Sequence, residues 1–73
     1  MMQSNTIILE NKEEYNIINK LVYNETEYVL LSNISNVKDI CIRKIVKDGI
    51  NKYVCRLDIN EFDIIFNMFT NPS

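Results

Sequence analysis

Chemistry in this chain would have to start from two thiols, Cys41 and Cys55, or from three groupings of carboxylates: Glu13-Glu14, Glu25 with Glu27, and Asp58 with Glu61 and Asp63. A thiol attacks as its thiolate, which at neutral pH usually requires a neighbouring imidazole or cation. The sequence has no His, so that partner is missing, as is the commonest metal ligand. Two Cys alone make neither a zinc site nor a disulfide framework. A carboxylate pair does acid–base work when burial drives its two pKa values apart. Here a helix start accounts for Asp58, Glu61 and Asp63, because anions are favoured at its partly positive end. No Asp-x-Asp-x-Asp-Gly spacing marks a calcium loop, and one Gly cannot build a phosphate cradle. The residues therefore imply no enzyme, no metal, no cofactor and no small-molecule substrate.

The elements that would position these residues follow from the alternation of apolar and polar positions. With 73 residues, 47% of them apolar and 25% charged, the chain is of the globular class and forms a single domain. A chain this short buries only roughly 60% of its extended surface, which leaves a small core. Residues 1–5 and 71–73 read as tails. Apolar runs at Ile7–Leu9, Tyr15–Tyr23, Tyr28–Leu31, Ile40–Val46 and Tyr53–Leu57, rich in Ile, Val and Tyr, are five strand candidates. Asn24 suits a tight hairpin between the second and third, pairing Tyr23 with Tyr28, Leu21 with Leu30 and Val22 with Val29. Asp48-Gly49 is the hairpin signal between the fourth and fifth.

The period then changes. Ile59, Phe62, Ile65, Phe66 and Phe69 fall at helical spacing. Asp58 caps the segment, Glu61 three residues later completes a capping box, and Asn71-Pro72 stops it. The spacing thus predicts a helix over 59–70 whose aromatic stripe packs on the sheet as core. The fold class is α+β: a small antiparallel β-meander of about five strands over 6–57, with one C-terminal α-helix packed on one face.

A helix of this length, roughly 18 Å, covers one face of a small sheet and no more. Strand alternation puts Leu21, Tyr23, Tyr28, Leu30, Ile40, Ile42, Tyr53, Cys55 and Leu57 under the helix. The other face carries Lys20, Val22, Val29, Leu31, Cys41, Arg43, Ile45, Val54 and Arg56. Cys41 and Cys55 then lie on opposite faces and are expected to stay free thiols. The open face mixes aliphatic side chains with both arginines of an acidic chain, the composition of a binding surface.

The order of residues is similar to the small YrzB-like family of acidic firmicute proteins, a domain of unknown function. The resemblance is carried by Glu14-Tyr15 opening the long strand, by Tyr23-Asn24 and Glu27-Tyr28-Val29-Leu30-Leu31 around the first hairpin, and by the closing segment from Asp58 to Phe69. It covers about Thr6 to Phe69. Two departures stand out: the family usually has Asn-Gly where this chain has Asn24-Glu25, and it is usually far more acidic than a net −2. The resemblance implies an α+β meander with a terminal helix, and no activity or ligand.

The expected function is that of a non-catalytic protein-interaction module. Its partner, a protein or a second copy of the chain, would be bound by Lys20, Val22, Val29, Leu31, Arg43, Ile45, Val54 and Arg56. A net charge of −2 disfavours nucleic acid as a partner, although Lys20, Arg43 and Arg56 on one face make it the alternative reading. No long apolar run points to a membrane. Free thiols and the lack of an apolar leader point to the bacterial cytoplasm, or to a host cytoplasm if the chain is phage-encoded. Asn and Ile fill 23 of 73 positions, both read mostly from A/T-rich codons, so the expected source is a low-GC bacterium or its phage. An inhibitor of a host defence protein such as a CRISPR nuclease, or an uncharacterised housekeeping protein, would fit that origin.

Overall fold

The computed structural model describes residues 5–71; of the expected tails, 1–4 and 72–73 lie outside the described residues. Five strands, β1 (Thr6–Ile8), β2 (Glu14–Tyr23), β3 (Thr26–Asn33), β4 (Ile40–Asp48) and β5 (Asn51–Cys55), form one antiparallel sheet in the order of the chain. The helix α1 (Ile59–Thr70) follows, so the α+β meander is the architecture. None of the described helices is long and apolar enough to cross a membrane.

Turn chemistry sets the two central hairpins. Asn24 (φ 54°) and Glu25 (φ 64°) are both left-handed, as a two-residue type I′ turn requires. Tyr23 therefore pairs with Thr26, Val22 with Glu27 and Leu21 with Tyr28. The expected pairs Tyr23–Tyr28, Leu21–Leu30 and Val22–Val29 are off by two residues, because Thr26 and Glu27 belong to β3 and not to the loop. An even slip keeps every side chain on its face, so the face assignment survives. At the second hairpin Gly49 (φ 64°) precedes Ile50, which is not left-handed, a type II′ turn.

A β-bulge interrupts β2. Ile17 faces Leu31 but Asn19 faces Leu30, so Ile18 is the extra residue. The bulge inverts the alternation along β2: Tyr15 and Ile17 point to one face, Leu21 to the other. The sheet thereby feeds two apolar clusters. Under the helix, Tyr28, Ile42 and Ile65 are buried, with Leu21, Leu30, Leu57 and Phe69 packed against them. On the opposite face, Leu9, Tyr15, Val29 and Leu31 are buried, flanked by Ile7, Ile17, Cys41 and Ile45. Full burial of one such aliphatic side chain contributes about 1.5–3 kcal/mol, so neither cluster is dispensable in a chain this small.

The helix starts as expected. Asp58 accepts a hydrogen bond from the Glu61 amide at 2.8 Å, and the Glu61 side chain reciprocates at the Asp58 amide. The aromatic stripe is only partly core. Ile65 is fully buried and Phe69 half-buried, whereas Phe62 and Phe66 stack on each other at 5.5 Å and stay partly exposed, and Ile59 is exposed. Tyr23, Ile40 and Tyr53 are likewise exposed, lying beyond the reach of one helix.

Candidate functional site

The face opposite the helix is a grid set by strand register. Lys20 stands opposite Val29, and Val29 opposite Arg43. One row on, Val22 stands opposite Glu27, Glu27 opposite Ile45, and Ile45 opposite Val54. A further row holds Lys47 opposite Lys52. In the other direction the grid runs through Leu31 opposite Cys41 to Tyr15 opposite Asn33.

Half of this face is closed. The sheet curls so that the β1–β2 turn lies across it, placing Leu9 against Tyr15, Val29 and Leu31. Glu10, the next residue, reaches past β3: its Oε2 accepts from Arg43 Nη2 at 2.9 Å and lies 3.4 Å from Arg56 Nε. Val29 is 2% exposed and Leu31 0%. These two expected contact residues are therefore corrected to core, since the turn after β1 covers them. Arg43 is not a free cation either, because it pairs with Glu10 and is largely covered, whereas Arg56 borders the same carboxylate with its side chain 76% exposed. Backbone hydrogen bonding, together with the pairing with Arg43, holds the Glu10 carboxyl below the usual carboxylate range.

A polar knot pins the closed end. Tyr15 Oη donates to Asp39 Oδ2 at 3.1 Å and accepts from Asn11 Nδ2 at 3.0 Å. The buried Asn33 amide donates to Glu13 and to Asp39, while its Oδ1 accepts from the Ser35 and Asn36 amides. These bonds join the β1–β2 turn, β3 and the β3–β4 loop, and they account for Glu13 and Asp39 structurally.

The other half of the face is open. Val22 is 69% exposed and Val54 43%, Ile45 is half-buried, and Lys20 is exposed. A shallow groove of about 570 Å³ runs beside them, lined by Val22, Glu27, Ile45 and Lys47 among others. Six of the expected contact residues, Lys20, Val22, Arg43, Ile45, Val54 and Arg56, thus remain on or bordering open surface. Lys47 and Lys52 complete the rim and were missed, although the alternation that places Ile45 and Val54 extends to them. The face sets five cations, Lys20, Arg43, Lys47, Lys52 and Arg56, against the carboxylates of Glu10, Glu13, Glu27 and Asp39 on a chain of net −2.

The remaining reactive groups are dispersed. Cys41 and Cys55 are free and lie on opposite faces, as the register requires. Burial pushes the Cys41 thiol up, away from thiolate character. No group of three or more His, Cys, Asp or Glu among the described residues is arranged to hold a metal ion. Comparison of the chain with protein-family models, curated proteins and solved structures gives no match.

Proposed function

We propose that this protein is a non-catalytic protein-interaction module that docks a protein partner on the open half of the face opposite the helix. The observation that carries the reading is a row holding exposed Val22 and Val54 and half-buried Ile45, with Glu27 between Val22 and Ile45, bordered by Lys20, Lys47 and Lys52 on an otherwise acidic chain. An apolar strip with a charged rim gives contact area at its centre and partner choice at its edge. Nucleic acid is the weaker occupant, because this half presents no aromatic ring on which a base could stack. Membership of the YrzB-like family is part of the same proposal and rests on the resemblance of residues alone.

The test compares retention of proteins from a low-GC bacterial lysate by the wild type, Val22→Asp and Val54→Asp. Circular dichroism verifies that both variants are folded, as expected for substitutions at exposed positions. A stoichiometric protein held by the wild type and lost by both variants is the expected result. Equal retention by all three would remove the open half from the account. A wild-type complex with single-stranded DNA that falls apart steeply with added salt would favour the nucleic-acid reading.

A further inference from the structure

The open half of the face ends at β5, an edge strand: among the described residues no strand pairs with its outer side. In an antiparallel ladder closed by a two-residue turn, the residues flanking the turn exchange both hydrogen bonds, and alternate pairs do so from there on. Asn51, Tyr53 and Cys55 therefore face Asp48, Val46 and Lys44 with their amides and carbonyls. The N–H and C=O groups of Lys52 and Val54 point the other way, toward the free edge. On the open face the same edge presents Lys52 and Val54, followed by Arg56 just beyond the strand. Lys52, Tyr53 and Val54 are all exposed.

From this juxtaposition we infer that the partner contributes an extended acidic segment that adds to β5 as a sixth strand, with side chains alternating acid, any residue, apolar, any residue, acid. This deepens the proposed function and rests on it. Strand addition uses the unpaired backbone groups for affinity and alternate side chains for specificity. Side chains opposite one another on neighbouring strands form the pairs that stabilise a sheet. An acid would sit opposite Lys52, an aliphatic residue opposite Val54 and a second acid opposite Arg56. A second copy of this chain is a poorer occupant, because its own β5 would bring Lys52 and Arg56 to an edge already carrying both; cations at an edge discourage self-pairing. The pattern reads the same in both directions, so it holds for parallel and antiparallel addition.

The probe is the peptide acetyl-Thr-Glu-Thr-Val-Thr-Glu-Thr-amide, titrated into isotopically labelled protein and followed by amide chemical shifts and hydrogen exchange. The expected result is saturable binding in which the Lys52 and Val54 amides shift and gain protection. Lys52→Glu with Arg56→Glu should weaken this peptide about tenfold and favour the analogue with Lys in place of Glu by a similar factor. Three outcomes would overturn the inference: no saturable shift, shifts without protection at Lys52 and Val54, or undiminished binding of the peptide N-methylated at both its Val and the Thr that follows it, whose amides face β5 in antiparallel and parallel addition respectively. Concentration-dependent protection of β5 in the protein alone would also overturn it, in favour of a second copy. If the peptide fails while Val22→Asp and Val54→Asp still lose their partner, strand addition is wrong and docking on the face stands. If those variants also keep every partner, both fall.

Discussion

Glu25 holds a backbone conformation that its side chain does not favour. At φ 64° it is the second left-handed residue of the first hairpin turn, where an L residue's Cβ crowds the following carbonyl at a cost of about 1–2 kcal/mol. Glycine carries no such cost, although it loses more freedom on folding. Glu25→Gly should therefore stabilise the protein by about 1 kcal/mol, raising the thermal midpoint by about 4–8 °C for a domain of this size. A lower midpoint would show that the Glu25 side chain contributes more than its strain removes. The same residue explains why one hairpin was legible and the other only half so. Asp48-Gly49 announces its turn because Gly is the residue a positive φ requires at that point. Asn24-Glu25 gave the place of the turn but not its length, since nothing about a glutamate marks it as left-handed, and the register slipped by two.

The start of α1 is fixed twice, once by its cap and once by the sheet. Glu61 accepts from Tyr28 Oη at 2.8 Å, and Lys44 Nζ lies 3.1 Å from both of its carboxylate oxygens. Burial, reinforced by the carboxylate it donates to, pushes the Tyr28 phenol up to about 12 from 10.0. The hydrogen bond from Tyr28, with help from Lys44, holds Glu61 below its ordinary 4.5. A raised folded pKa gives stability that is complete below pH 10 and is lost as pH climbs from there toward 12; a depressed one gives stability present above pH 4.5 and lost as pH falls through the lowered value. Tyr28→Phe should accordingly flatten the alkaline fall between pH 10 and 12 relative to wild type and soften the acid one, as read by denaturant midpoints across pH. An unchanged alkaline limb would mean that the phenol does not hold the helix start. The capping box was readable because it lies within four consecutive residues. The bond to Tyr28 was not, because it depends on which turn of the helix meets which strand. The β2 bulge was hidden for a similar reason: Ile17 and Ile18 are the same residue type, so no polarity change marks which is extra.

At the level of the whole molecule, one sheet serves two clusters, and among the described strands only β3 has buried residues in both. Tyr28 is buried toward the helix, and Val29 and Leu31 toward the β1–β2 turn. That second face looks open in the sequence because a turn carries no strand or helix period, and Leu9-Glu10 resembles the end of a strand more than a cover. Only the curl of the sheet brings Glu10 to Arg43 and Arg56. The outer strands differ from β3 in kind: β1 has three residues, and four of the five in β5 are exposed. Local opening follows buried contacts and exposed hydrogen bonds, so amide exchange should be slowest at Tyr28 to Leu31 and fastest at β1 and β5. Measured at low protein concentration, slow exchange throughout β3 with rapid exchange at Lys52 and Val54 is the expected profile. Protection of β5 equal to that of β3 would mean that its edge is already occupied, and an edge in use cannot receive a partner's strand. The ranking therefore tests the architecture and the availability of its proposed docking edge in one experiment.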